Sequence, residues 1–89
     1  GAVAEIVGQK LRALGAERQV LCVTHLPQVA AQGHAHYRVS KAPVDGMTQS
    51  AVEKLNAKQR EEELARMLGG VEVSKEAHAA AKRLLANAV

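Results

Sequence analysis

The stretch QVLCVTHLPQ, residues 19–28, decides the fold of this chain. Its four consecutive apolar residues, 20–23, show no polar alternation and predict a β-strand buried on both faces, as in a parallel sheet covered by helices. Pro27 suits the first turn of a helix, where its missing N–H costs nothing. His25 therefore lies where a buried strand passes into a helix. Because ligands bind at the carboxyl edge of open α/β sheets, His25 is a candidate for chemistry.

Helical periodicity brackets this strand. Apolar residues recur at helical spacing near the start of the chain and predict an amphipathic helix from Gly1 to Leu14, with a stripe made by Val3, Ile6, Val7, Leu11 and Leu14. The strand at 19–24 follows, and then a short helix from about Leu26 to Gln32. Cys22 is the only cysteine and lies inside the predicted strand, so we expect a packed, unreactive thiol.

The second half of the chain predicts a hairpin and two helices. Residues 36–41 and 47–55 alternate as strands, joined by the turn residues of 42–46. Neither face of the second strand is strongly apolar, which indicates an outer strand. The run Arg60-Glu61-Glu62-Glu63 is typical of a solvated helix face, and we assign it no chemistry. Helix boundaries are predicted by a capping box at Asn56 and Gln59, a stop at Gly69-Gly70 and a cap at Ser74.

Length and composition describe one small domain or part of a larger one. The 89 residues carry a net charge of +3 and a single aromatic residue, Tyr37, so core material is thin. A central parallel strand needs parallel neighbours, yet only one such strand is predicted. We therefore expect the second part of a doubly wound domain, whose first strands lie upstream of Gly1. With one cysteine, no apolar run near ~20 residues and no signal peptide, we expect a cytosolic setting.

Other chemistries have weaker support in the sequence. Cys22, His34 and His36 lie near His25 and suggest a metal site, but residues three apart on a strand point to opposite faces. No carboxylate or second cysteine near them completes a ligand set. No phosphate-binding loop or dinucleotide fingerprint is present, and Asp45, the only aspartate, lies in a turn. Spacing alone does not predict a free-standing enzyme.

Longer stretches of the chain resemble a known family. VLCVTHLPQVA, residues 20–30, and GHAHYRVSK, residues 33–41, are similar to the C-terminal part of the RecN-like bacterial DNA repair proteins. Further matches are Met47-Thr48, ELARMLGG at 63–70, and Ala81-Lys82-x-Leu84-Leu85. The resemblance covers nearly the whole chain.

The resemblance implies a fold and a site. RecN-like proteins belong with the SMC-type ATP-binding cassette ATPases, so residues 1–89 would form the C-terminal portion of a P-loop, ABC-type head of the α/β class, incomplete on its own. Such a portion holds a parallel-sheet strand with flanking helices, then two strands and two helices. His25 would be the catalytic switch histidine that contacts the γ-phosphate of ATP. ATP and Mg²⁺ would be bound mainly outside this chain, because the phosphate-binding loop, Walker B acid, signature motif and coiled coil are absent from it.

The resemblance also implies partners and a setting. The partners would be the N-terminal remainder of the same head, a second head in a homodimer, and DNA, with no membrane. The whole protein would act in DNA double-strand break repair and recombination in the cytoplasm, associated with the nucleoid, and this chain alone would be inactive as an ATPase. The alternative is a small, non-enzymatic basic module that binds nucleic acid or a protein partner. The charges are scattered, so no residue is nominated for DNA contact.

Overall fold

The computed structural model describes residues 1–88, which form four helices and a two-stranded antiparallel sheet. The predicted α/β composition is therefore present, with the sheet in the hairpin. In chain order the elements are α1 (Ala2–Gly15), α2 (Pro27–Ala30), β1 (Tyr37–Val44), β2 (Met47–Lys54), α3 (Ala57–Gly69) and α4 (Lys75–Ala86).

The hairpin forms because a two-residue turn lies between alternating strands. Val44 pairs with Met47, which leaves only Asp45 and Gly46 in the loop. Their φ angles are 51° and 78°, the two positive values that a type I′ turn requires, and Asp-Gly is a favoured pair for that turn. Both strands are exposed along their whole length, and for β2 this agrees with the prediction of an outer strand. The predicted turn at 42–46 is too long, since β1 continues to Val44.

Local capping defines the two C-terminal helices as the sequence predicts. The Asn56 side chain accepts from the Gln59 backbone N–H at 2.8 Å, and the Gln59 side chain accepts from the Asn56 N–H at 2.9 Å. Ser74 Oγ accepts from the backbone N–H of Ala77 at 3.1 Å. Each contact satisfies a donor that the first turn of a helix leaves free, so the start of each helix is fixed by residues within the same turn.

The core lies between α3, α4 and the end of α2. Leu64 is its one large, fully buried side chain among residues 1–88. Small side chains surround it, namely Ala31, Ala65, Ala77 and Ala81, with Met67, Leu84 and Leu85 packed against them. The buried alanines of α4, Ala77 and Ala81, face α3, and the small residues let α3 and α4 approach closely.

The predicted buried strand at 19–24 is wrong for this structure. Residues 19–24 form no strand, and the side chains of Leu21 and Val23 are 92% and 94% exposed. Cys22, expected to be packed, is also exposed. The physical reason is that a buried strand needs neighbours to take up its backbone N–H and C=O groups, and β1 and β2 pair only with each other.

The first two helices also differ from the sequence prediction. The stripe of α1 is helical as predicted, but most of it is exposed, at Val3, Ile6, Val7 and Leu14. α2 is shorter than predicted because Gln32 and Gly33 donate to carbonyls three residues back, Val29 and Ala30, which tightens the chain after one turn. No helix within residues 1–88 has the length and apolar character needed to cross a membrane.

Candidate functional site

His25 lies in a turn that its neighbours define. Thr24 Oγ1 accepts a hydrogen bond from the backbone N–H of Leu26 at 3.0 Å, which closes a short side-chain turn around His25. Leu26 is the extended N-cap of α2, and buried Pro27 occupies the first helical position. The backbone on both sides of His25 is therefore held, while His25 itself is exposed. An exposed imidazole on a constrained turn is available to a ligand.

Two arginines bind the carbonyl end of α2, the helix that follows His25. Arg60 Nη2, from α3, donates to the Gly33 carbonyl at 2.9 Å and lies 3.3 and 3.4 Å from the carbonyls of Ala30 and Ala31. Arg12 Nη1, from α1, donates to the Gln32 carbonyl at 2.8 Å. We call this pair the arginine clamp. It supplies donors to the carbonyls of Ala31, Gln32 and Gly33 and a further donor to that of Ala30, which already accepts from the Gly33 N–H. Its charge complements the negative end of the helix dipole.

The clamp places two cations in a partly buried setting. Burial lowers the pKa of Arg60, and the nearby charge of Arg12 lowers it further. Arg60 Nε is buried without a hydrogen-bond partner in the described structure, and so is Nδ1 of the half-buried His36. Burial and the charge of Arg60 lower the pKa of His36, while Glu63 acts in the opposite direction. Burial and the charge of Arg60 therefore favour the neutral form of His36.

A close helix contact completes the setting of α2. Gly8 of α1 is buried against it, and a Cβ atom at this position would lie 2.9 Å from Cγ of Gln32 and 3.1 Å from the carbonyl oxygen of Gln28. The first distance is shorter than real Cβ contacts and the second is tighter than most of them, so glycine at position 8 allows α1 to lie this close to α2. The place of α2 thus depends on Gly8 and the clamp together.

A charge network on α3 joins the hairpin to the helices. Glu63 is buried, and it binds the guanidinium of Arg66 one turn later on the same helix. Arg38 of β1 lies 2.7 Å from Glu53 of β2 and 3.7 Å from Glu63. The hydrogen bond from Arg66 is the main cause that lowers the pKa of Glu63. The prediction that 60–63 is a purely solvated face is wrong, because Arg60 and Glu63 lie on the core side of the helix.

The candidate metal ligands are not brought together. Within the described part of the chain, no three histidine, cysteine, aspartate or glutamate side chains meet where they could hold a metal ion. His36 lies beside Arg60 and Glu63, while His34 contacts the backbone region of Gly15. A groove of about 350 Å³ lies between the four helices and is lined by Gln28, Gln32, Arg83 and Asn87 among others, and His25 is not one of its lining residues.

Sequence reasoning missed the arginine clamp. Its contacts join residues 20 to 30 positions apart, and no local motif reports such pairs. One signal was present: Arg60 lies one helical turn before Leu64, so the two share the face of α3 that packs inward. A charged residue on a core-facing stripe indicates a specific partner, because a buried charge without one is costly.

Curated relatives match this chain along almost its full length. A protein of Xylella fastidiosa named DNA repair protein RecN is 73% identical over 85 residues, which is 96% of this chain and 15% of that protein. The chain belongs to the RecN family. RecN proteins of Vibrio cholerae and Rickettsia bellii are 49% identical over 85 residues and 38% identical over 89 residues. The chain spans about 15% of the length of these RecN relatives, and no family model matches it.

Proposed function

We propose that this chain forms the C-terminal portion of an ATP-binding cassette head in a RecN-type ATPase, with His25 as its switch histidine. One observation carries the proposal: an exposed imidazole stands on a turn fixed by Thr24 and Pro27, at the end of an apolar run in which Leu21 and Val23 are also exposed. An apolar run of this kind is suited to lie between parallel strands supplied by the rest of a head. His25 would then project from the carboxyl edge of that sheet.

The chemistry required of His25 is modest and electrostatic. Phosphoryl transfer depends on positioning and charge stabilisation more than on covalent steps by the protein. An imidazole N–H that donates to a γ-phosphate oxygen would counter the charge that develops during hydrolysis of ATP. A donor that acts mainly in the transition state contributes on the order of 10²–10³ in rate. His25 would affect turnover far more than binding.

The remaining parts of such a site lie outside these residues. Mg²⁺ would neutralise phosphate charge, and residues 1–88 bring together no set of acidic or histidine ligands for it, so no step is assigned to the ion here. The relatives are named DNA repair proteins. We extend this to the whole protein, with DNA double-strand break repair and recombination as its role, DNA and a second head as its partners, and the cytoplasm, at the nucleoid, as its setting.

The non-enzymatic basic module takes second place because a third of the lysines and arginines already have partners within the chain. Arg38 and Arg66 bind carboxylates, and the clamp arginines Arg12 and Arg60 bind backbone carbonyls. These are four of the 12 lysines and arginines in the chain. DNA affinity of the isolated chain that falls steeply with salt would favour this alternative, because phosphate contacts release counterions.

The test requires a complete head. In a chimera, the matched residues of the Xylella fastidiosa RecN protein are replaced by those of this chain, and ATP hydrolysis and ATP binding are measured separately. We expect His25→Ala to lower kcat on the order of 10²-fold while the Kd for ATP changes little. His78→Ala, a change to a partly exposed histidine of α4, is the matched control and should leave both values unchanged. Wild-type turnover in the His25 variant would refute the assignment.

A further inference from the structure

We propose that Arg60 and Arg12 are positioning residues, which hold α2 and thereby set the place of the turn that carries His25. This inference rests on the proposed function of His25, and it adds two residues that no family motif supplied. It starts from the weakness of α2 itself. One turn of four residues does not hold its shape alone in water, because helix nucleation is unfavourable. The position of α2 must come from contacts outside it.

The clamp supplies those contacts at the end of α2 remote from His25. All three carbonyls near Arg60 face a single nitrogen, Nη2, and Arg12 takes the carbonyl of Gln32 between them in the chain. Hydrogen bonds from a charged donor are stronger than neutral ones. Burial, and then the like charge of Arg12, lower the pKa of Arg60 at this helix end, so the two cations repel each other there. Their convergence indicates that the carbonyl contacts outweigh that repulsion.

The connection from the clamp to His25 is short and stiff. The Leu26 carbonyl accepts from Val29 and Ala30 within α2, at 3.1 and 3.0 Å, while the Leu26 N–H donates to Thr24 Oγ1. Leu26 therefore belongs both to α2 and to the turn around His25. Pro27 removes one rotation between them, because its ring fixes φ. A displacement of α2 would move His25 with it, and small misplacements of a catalytic group reduce rates strongly.

Because Arg60 is on α3, the clamp also links the His25 turn to the C-terminal helix pair. α3 packs on α4 through Leu64 and Ala65, so its place is set by the core. The clamp thus fixes the position of the exposed turn relative to the buried core of the molecule. Gly8 has the matching role on the other side, where it lets α1 approach and brings Arg12 within reach.

The first measurement uses the 89-residue chain and needs no ATP. Amide hydrogen exchange of Ala30, Ala31 and Gly33 is compared in wild type, Arg60→Met and Lys58→Met, since Lys58 is an exposed cation on the same helix. We expect exchange in Arg60→Met to be faster on the order of tenfold, and exchange in Lys58→Met to be unchanged. Equal exchange in all three proteins would overturn the clamp, whatever His25 does.

The second measurement uses the chimera with the segment of this chain. Arg60→Met should lower kcat on the order of tenfold with little change in the Kd for ATP, while Lys58→Met leaves both unchanged. Arg60→Lys should recover part of the loss, because one nitrogen makes all three carbonyl contacts. A merely structural role would instead lower the fraction of protein that binds ATP.

The outcomes separate the two proposals. If His25→Ala lowers kcat but Arg60→Met leaves it at the wild-type value, the positioning role is refuted and the role of His25 stands. If His25→Ala leaves kcat unchanged, the switch assignment fails and the positioning role fails with it. Loss of kcat in both variants, with faster exchange in α2 for Arg60→Met, supports both.

Discussion

The helix pair α3–α4 and the segment 19–25 contain similar apolar side chains in opposite environments. Leu64 is fully buried between the two helices, whereas Leu21 and Val23 are almost fully exposed. The run that holds Leu21 and Val23 was predicted to be buried. The helix pair buries its apolar side chains within this chain, since each helix covers the apolar face of the other. A two-faced strand needs neighbours on two sides, and the hairpin does not supply them.

The largest test of this contrast is Leu64→Ala. The change removes the only large, fully buried side chain among the described residues, and the cavity should cost about 2–5 kcal/mol in the free energy of unfolding. Urea unfolding followed by circular dichroism measures it. A chain of this size has little stability to lose, so we expect the cooperative transition to be largely lost. A shift below about 1 kcal/mol would mean that α3–α4 is not the stable region.

A smaller effect is expected where α3 begins. Asn56→Ala removes the side-chain acceptor for the Gln59 N–H and should cost about 1 kcal/mol, while Asn56→Asp retains an acceptor and should be nearly neutral. The comparison of urea midpoints for the two variants isolates the cap. Equal losses in both would show that the capping box does not stabilise the helix.

Acid should lower the free energy of unfolding through the protonation of His36 and Glu63. Burial and the charge of Arg60 lower the pKa of His36 below its ordinary 6.5, so the unfolded chain binds this proton more tightly. The associated stability is complete above that ordinary value and is lost as the pH falls from there through the folded pKa. The pKa of Glu63 is also lowered, and its contribution disappears further down, below the ordinary 4.5. Urea midpoints measured from about pH 7.5 to about pH 5 should fall, and His36→Gln should flatten this part of the profile.

The smallest effect is expected at the exposed segment. Leu21→Ser in this chain should change the free energy of unfolding by no more than about 0.5 kcal/mol, because an exposed side chain loses no burial. In the chimera, the same change should lower the thermal midpoint, since there we expect neighbouring strands to cover Leu21. A large loss in the isolated chain would show that the segment is buried in solution, and the contrast would fail.

The predictions that the structure confirms depend on short sequence separations. The capping box and the Ser74 cap act within four residues, so their sequence signals are complete in themselves. The two-residue turn at Asp45-Gly46 lies inside the longer turn predicted at 42–46. The run at 20–23 was predicted as a buried strand because its residues are all apolar. Burial also requires neighbouring strands, and the sequence of the run does not report whether they are present. In the described residues the run is apolar, but no strand lies beside it.

The candidate site also contains one part that local sequence predicts and one part that depends on distant contacts. His25 was identified from its place between a strand-like run and Pro27, and the structure shows the turn that holds it. The clamp could not be identified, because Arg60 meets carbonyls 27 to 30 residues earlier in the chain. The charged run at 60–63 predicts solvent exposure, and only the three-dimensional contact between α2 and α3 shows that Arg60 turns inward.

Cys22 gives the exposed segment a chemical handle. It is the only thiol in the chain and stands between Leu21 and Val23, so a fluorescent or spin label attached there would sit in the centre of the apolar run. Alkylation of this sulfur should be fast in the chain as it stands and slow once other strands cover the run. The accessibility of a single atom would then report the moment at which the segment is incorporated into a larger sheet.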